Sequence, residues 1–187
     1  MVCPVYHPAR PMESAGTASD QGWLLRGSVE SASGVMPALE GGAEVLRCIG
    51  CDDPEQWMAG VMREYVEIEF IGGIDIGTLA ETGTMPVRGG VLLDWWSTSG
   101  TETIQAHVQA VSKLGSDGLR AVSLVDPRFG NGAWSTAASL ALLFHSCTAL
   151  SEQLNGLERV AMDVALDADP IVSMASVEAM KLSLIHI

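Results

Sequence analysis

Apolar strand patterns alternate with helical patterns along residues 53–166, and this alternation constrains the fold more than any other feature. The order begins with a helix over about 54–64. Strand patterns are predicted at 65–78, around 85–87, and at 91–96, 119–125 and 157–166, with longer helices at about 99–114 and 133–154. The two longer helices are long enough to cross over from one strand to the next, which favours parallel pairing of the strands that they connect. The sequence therefore predicts an α/β domain with the order β-β-β-α-β-α-β.

The charge and hydropathy of the chain limit the kinds of partner that the protein can bind. The chain has 187 residues, with 10 Lys and Arg against 23 Asp and Glu, a formal net charge of -13 and 48% hydrophobic residues. An acidic surface disfavours nucleic acid and anionic membranes, which attract basic proteins. The apolar content argues against disorder. No apolar run reaches the roughly 18 residues of a membrane span. We expect a soluble, cytoplasmic domain with a small-molecule or nucleotide ligand.

The two ends of the chain differ from its middle. Residues 1–52 are rich in Pro, Gly and Ser and are expected to form a loop-rich segment, whereas 53–181 carry the α/β domain, which we expect to be incomplete. Residues 182–187 resemble one reading frame of the transposon-end adapter used in sequencing libraries. We expect them not to belong to the natural protein, with a short C-terminal strand as the alternative.

A C-x-x-C pair, Cys48 and Cys51, is the notable cysteine pattern. Such a pair can supply half of a zinc site or form a redox disulfide. The sequence has no second C-x-x-C or H-x-x-x-H to complete a tetrahedral site. Two ordinary thiols in a reducing compartment are the alternative that we favour.

Four aspartates, Asp75, Asp94, Asp126 and Asp167, fall at or near the ends of predicted strands. Ligands of open α/β sheets bind at the carboxyl ends of strands, and gathered carboxylates suit Mg²⁺. The alternative is that these are ordinary turn residues before Gly or Pro.

The segment Gly73-Ile74-Asp75-Ile76-Gly77-Thr78 follows an apolar strand pattern. It resembles the first phosphate motif, G-x-D-x-G-T, of the actin-like ATPase and sugar-kinase superfamily. A similar motif opens the Holliday-junction-resolvase-like nucleases. Both groups have the RNase H-like fold, whose mixed sheet follows the order predicted here.

This resemblance implies a Mg²⁺-dependent phosphoryl-transfer enzyme, of kinase or ATPase type, that binds ATP. Gly73, Gly77 and Thr78 would bind phosphate, and Asp75 would hold Mg²⁺ and act in catalysis. Asp126 would be the second metal-binding and catalytic acid. The strands bearing the two acids should then be adjacent and parallel, with the carboxylates within about 8 Å of each other.

Two departures from the family pattern leave other functions open. Glu81 places an acid where phosphate should lie, and no Gly-rich adenosine motif follows. One alternative is a (β/α)-barrel fragment, an enzyme holding its substrate over the strand ends, with every strand parallel and no hairpin across 79–90. Another is a structural or assembly protein, such as a virion or shell subunit. In either case, alternation places one of Trp95 and Trp96 in the core and the other outside.

Overall fold

The computed structural model describes residues 4–5, 24–72, 74–98, 100–114, 119–131, 134–154, 160–166 and 169–184. The described strands are β1 Pro4–Val5, β2 Leu24–Val29, β3 Val45–Ile49, β4 Glu67–Ile71, β5 Gly89–Asp94, β6 Arg120–Val125 and β7 Val160–Asp163. The described helices are α1 Val35–Glu40, α2 Pro54–Trp57, α3 Ile76–Glu81, α4 Thr101–Leu114, α5 Arg128–Asn131, α6 Thr136–Leu154 and α7 Pro170–Leu184.

Strands β2 to β7 form one parallel sheet in which spatial order equals chain order. The short β1 pairs with β2 in the antiparallel direction. Every parallel pair is joined through at least one helix, as crossover connections require. The α/β class predicted from the sequence is therefore confirmed.

The RNase H-like mixed sheet predicted from the sequence is wrong. Ile68 of β4 lies opposite Gly89 of β5 in parallel register, and α3 occupies the region where a hairpin was expected. Strand β5 separates β4 from β6, so the expected adjacency of the strands before Asp75 and Asp126 is also wrong. The error has a simple cause. Residues 74–78 continue the apolar-polar alternation of β4, but Asp75 caps a helix instead of extending the strand.

Regular structure extends N-terminal of the predicted domain start at residue 53. Strands β2 and β3 and helix α1 all lie within 24–49, inside the segment expected to be loop-rich. Each of these strands carries an arginine that is almost fully buried, Arg26 and Arg47. Arginine inside a short strand weakens the apolar pattern by which a buried strand is usually recognised.

The sheet is strongly curled. In a flat sheet the five strand spacings from β2 to β7 would separate these strands by about 24 Å. Instead, Nη1 of Arg26 on β2 lies 2.7 Å from Oδ1 of Asp163 on β7. The two side chains can meet only if they lie on the concave face of a sheet bent into a half-barrel.

The convex face packs against helices. Its strand residues include Leu46, Cys48, Ile68, Phe70 and Val91, and the facing helices contribute Ile104, Val111, Leu143, Cys147 and Leu150. These side chains form one buried apolar cluster between the sheet and the helices. None of the described helices is long and apolar enough to cross a membrane.

Candidate functional site on the concave face of the sheet

Six charged side chains from five strands meet on the concave face, and we call them the interior charge cluster. They are Arg26 of β2, Arg47 of β3, Glu67 and Glu69 of β4, Arg120 of β6 and Asp163 of β7. Three cations face three anions, so the cluster is neutral overall. Charged residues of these types are almost never fully buried unless they are paired.

Asp163 is the acid that joins the two ends of the sheet. It accepts hydrogen bonds from Arg26 and from both terminal nitrogens of Arg47. Arg47 also donates from Nε to Oε2 of Glu69, at 2.8 Å, and Arg26 Nε lies 3.5 Å from the same oxygen. Two arginines and two acids from four strands are thereby linked in one network.

Arg120 reaches this network from β6 by crossing over β5. Its Nη2 lies 2.8 Å from Oε2 of Glu67 and 3.2 Å from Oε1 of Glu69. The residue directly between them in register is Gly90, which pairs with Glu69 on one side and Arg120 on the other. Because Gly90 has no side chain, the long arginine side chain can cross the intervening strand.

The pairing keeps the cluster ionised. Burial by itself raises the pKa of Asp163, but Arg47 and Arg26 outweigh it and lower the pKa below its ordinary value. Burial likewise opposes the charge of Arg47, yet Glu69 and Asp163 raise its pKa. These charges are committed to one another, so the cluster forms a packed floor for the concave face rather than a set of free acids and bases.

The concave face opens toward the carboxyl ends of the strands. Arg26 and Arg47 are buried, whereas Ser28 and Ile49, two residues further along the same strands and on the same face, are exposed. Solvent and small molecules can therefore reach this face just above the interior charge cluster.

Near the carboxyl ends of β5 and β6, a carboxylate and a hydroxyl lie side by side. Asp94, the last residue of β5, pairs in register with Ser123 of β6, so the two side chains share a face about 4.8 Å apart along the sheet. Ser123 is 0% exposed, and its hydroxyl has no hydrogen-bond partner within the described residues. Asp94 is partly exposed, and its Oδ1 accepts from the backbone N–H of Trp96. A buried hydroxyl without a partner is costly, so its position needs an explanation.

Trp96 covers the end of the neighbouring strand. Its indole Nε1 donates to the carbonyl of Val125 at 2.7 Å, which anchors the ring across the end of β6, and the residue is 41% exposed. Trp95 instead packs against the apolar cluster, as the alternation predicts. We call Asp94, Ser123 and Trp96 together the Asp94 site.

In the structure, the segment that resembles G-x-D-x-G-T forms the start of helix α3. Asp75 is the N-cap of α3, where Oδ2 accepts from the backbone N–H of Thr78 at 3.0 Å. A Cβ at position 77 would lie 2.7 Å from that same oxygen, so Gly77 gives the cap its room. Gly73 lies outside the described residues. One carboxylate oxygen of the predicted metal ligand Asp75 is thus already bonded to the backbone N–H of Thr78.

Asp126 is a structural junction in this fold. Its carboxylate accepts hydrogen bonds from the backbone and side chain of Arg128, from the hydroxyl of Ser139 on α6 and from the N–H of Ala165 after β7. Burial raises its pKa, but these donors outweigh burial and lower it. Both oxygens are used in tying β6, α6 and β7 together.

Two substitutions of Asp75, the N-cap residue of α3, separate a structural role of its side chain from a metal-binding role. We expect Asp75→Ala to lower the free energy of unfolding by about 1 kcal/mol, and Asp75→Asn by less than about 0.5 kcal/mol, because Asn caps helices as well as Asp does. Urea unfolding measures both values. If MgCl₂ stabilises the wild type and Asp75→Asn removes that stabilisation, the carboxylate binds metal and the cap alone does not explain it.

The cysteines behave as buried thiols. Burial raises the pKa of Cys48 to about 12 and those of Cys51 and Cys147 to about 11. All three are free in the structure. A thiol that stays protonated near neutral pH is a poor nucleophile and a poor metal ligand, which favours the interpretation as ordinary thiols.

Part of this arrangement could be predicted from the sequence. Asp94 is one of the four acids predicted at strand ends and does end β5, whereas Ser123 and the interior charge cluster were missed. The signal that could have revealed the cluster is the presence of two arginines, Arg26 and Arg47, in short strands. The next strand, β4, has alternating acids, and this pattern alone predicts a side that faces solvent. Across the described part of the chain, no group of three or more His, Cys, Asp or Glu side chains is arranged to hold a metal ion.

Comparison with known proteins adds no family to these observations. No family model matches the chain, and a search of curated proteins found no match either.

Proposed function

We propose that this chain is an enzyme of (β/α)-barrel type that binds a small polar substrate over the carboxyl ends of β2–β7. Parallel sheets with helical crossovers bind ligands at this edge, since the loops there converge on one opening. The sequential parallel order of the six strands supports this, as does the curl that brings β2 to β7. The absence of a hairpin between β4 and β5 agrees with the same proposal.

The observation that carries the proposal is the curl of six sequential parallel strands, which brings their carboxyl ends around one edge where the carboxylate of Asp94 is partly exposed. In the proposed site Asp94 binds a donor group of the substrate through a charge-assisted hydrogen bond. Ser123, its neighbour in register, is enclosed within the sheet. The interior charge cluster joins the strands on either side of β5, which bears Asp94.

Two other functions remain predictions. Mg²⁺-dependent phosphoryl transfer with ATP would require Asp75 and Asp126 to give up hydrogen bonds that they make within the protein. An assembly function would use exposed apolar side chains, such as Ile171 and Met174 on α7. We favour the barrel proposal because it alone uses the curled sheet of sequential parallel strands that the chain forms.

A ligand screen on variants tests the proposal. Wild-type protein is screened by ligand-observed NMR against a library of small sugars, amines and carboxylic acids. We expect Asp94→Asn to weaken binding of the hits by about tenfold or more, because it removes a charged hydrogen-bond acceptor. Ser123→Ala removes a hydroxyl that is enclosed within the sheet and should leave binding of the same hits unchanged. Glu64→Gln, an exposed acid before the amino end of β4, is the matched control. Hits that bind all four proteins equally well would contradict the proposal.

A further inference from the structure

We infer that the outer face of helix α7 binds the same face of a second copy of this chain, so that the protein forms a weak two-fold dimer. The α7 face consists of the exposed residues between positions 171 and 180, which are Ile171, Val172, Met174, Ala175, Glu178 and Ala179. The inference goes beyond the proposed function and does not depend on it. It rests on the burial pattern, the charge and the side-chain sizes of this face.

Helix α7 exposes large apolar side chains and buries a polar one. Ile171 is 76% exposed and Met174 is 70% exposed, whereas Ser176 is 7% exposed. The hydroxyl of Ser176 donates to the carbonyl of Val172 at 2.8 Å, within the helix. A surface helix normally has the opposite pattern, with its apolar stripe toward the core and its polar residues outside. One side of α7 packs against α6, so the α7 face is the apolar side that the described residues leave uncovered.

The α7 face is nearly uncharged, although the chain as a whole is strongly acidic. Glu178 is the one charged residue at positions 171–179, on a chain with a formal net charge of -13. Two copies of such a chain repel each other wherever their acidic surfaces meet, so they can associate only through a face that carries little charge. A basic partner would gain little from a face with a single acid. The charge therefore favours a second copy at α7 over a basic protein.

The side-chain sizes make the α7 face complementary to itself. Ile171, Ala175 and Ala179 recur at intervals of four residues, so they lie in one row along the helix, with the large side chain first and the small ones after it. If two α7 helices pack antiparallel about a two-fold axis at Ala175, Ile171 of one protomer lies opposite Ala179 of its partner. Val172 then lies opposite Glu178, so the two glutamates are about 9 Å apart along the helix. Such self-complementarity is what a two-fold interface requires.

The small area of the α7 face sets the strength of the dimer. The helix has 15 residues and is about 22 Å long. Its large exposed apolar side chains, Ile171, Val172 and Met174, would bury roughly 300 Å² per protomer, well below the roughly 800 Å² of a standard interface. We therefore expect a transient dimer with a Kd on the order of 100 µM.

Sedimentation velocity of the full chain, from about 10 µM to about 1 mM, measures this self-association. We expect the mean mass of the wild type to rise toward that of a dimer over this range. Ile171→Glu should weaken the dimer at least tenfold, because it places a charge in an apolar contact. Met62→Glu is the matched control, since Met62 is 67% exposed on another surface, and it should leave the association unchanged. A wild type that stays monomeric, or a dimer that Ile171→Glu leaves intact, overturns the inference.

An exchange of side-chain sizes tests the two-fold pairing itself. Ile171→Ala should weaken the dimer severalfold because a large side chain is lost, and Ala179→Ile should weaken it because two large side chains then meet. The double variant should regain most of the wild-type affinity, since each large side chain again lies opposite a small one. Circular dichroism confirms that each variant is folded, as expected for exposed positions. A double variant that associates more weakly than either single variant contradicts the pairing of Ile171 with Ala179 and overturns the inference.

Discussion

Replacing Asp163 with Asn is expected to lower the free energy of unfolding by about 3–5 kcal/mol, the cost of removing one partner from a buried ion pair. The substitution keeps the shape of the side chain but leaves Arg26 and Arg47 buried with one acid fewer. Since each arginine is less than a tenth exposed, water cannot replace the lost carboxylate. Most small domains have only 5–15 kcal/mol of stability, so the loss would be severe.

Urea unfolding of the wild type and Asp163→Asn at pH 7 measures this effect. Glu64→Gln, which removes an exposed acid, is the control and should change the stability by no more than about 0.5 kcal/mol. The pH dependence has a defined sign. Because the folded-state pKa of Asp163 is lowered, its contribution is complete above the unfolded value of about 3.9 and is lost as the pH falls through the folded value. A loss below about 1 kcal/mol at pH 7 would mean that Asp163 is not buried with the arginines.

Replacing Gly90 with Val is expected to cost at least about 3 kcal/mol, because it disrupts both a close strand contact and a buried ion pair. A Cβ at this position would lie 2.3 Å from the carbonyl oxygen of Arg120 and 2.9 Å from its Cβ. Any larger side chain would also lie between Arg120 and the acids Glu67 and Glu69. Both effects act on Arg120, so both should contribute to the loss in the free energy of unfolding.

A graded series separates this effect from the general cost of replacing glycine. Gly90→Ala should already destabilise the protein, and Gly90→Val should destabilise it more. Gly34→Ala is the matched control, since its Cβ would make only an ordinary contact, 3.4 Å from Val29, and its backbone conformation suits alanine. Thermal unfolding followed by circular dichroism ranks the three variants. Equal stability of Gly90→Ala and wild type would contradict the close contact of β5 with β6 at this position.

The α/β class and most of the C-terminal elements could be predicted from the sequence, because their signals are local. The helical spacing of Ile104, Val108 and Val111 predicts a helix where α4 lies. The apolar run at 119–125 predicts a strand where β6 lies. Each of these patterns depends only on residues close together in the chain.

The direction of pairing between β4 and β5 could not be predicted in the same way. The notable signal at 73–78 suggested a phosphate-binding turn, and the geometry of a helix cap uses the same residue types. An Asp that accepts from the N–H three residues later, with a glycine beside it, serves either purpose. The parallel pairing of β4 with β5 excludes the mixed sheet that the resemblance implied, and no residue pattern within 73–78 indicates that pairing.

The interior charge cluster could not be predicted from the sequence for a different reason. Glu67 and Glu69 alternate with apolar residues, a pattern typical of a strand with one side in water. Their partners lie far away in the sequence, at a separation of 22 positions from Glu69 to Arg47 and of 53 from Glu67 to Arg120. A pattern within one strand cannot show that arginines from other strands cover its polar side. The position of Asp94 at a strand end could be predicted, because it depends on the end of one apolar run alone.

The closure of the sheet through Arg26 and Asp163 is the central claim, and a double-mutant cycle tests it most directly. Arg26→Met, Asp163→Asn and the double variant are compared with wild type by urea unfolding at pH 7. If the two side chains are in contact, the three changes in free energy should deviate from additivity by at least about 1 kcal/mol. If the sheet is flat, with the strands about 24 Å apart, the changes should add to within about 0.5 kcal/mol. Additivity would contradict the half-barrel, and with it the placement of the Asp94 site.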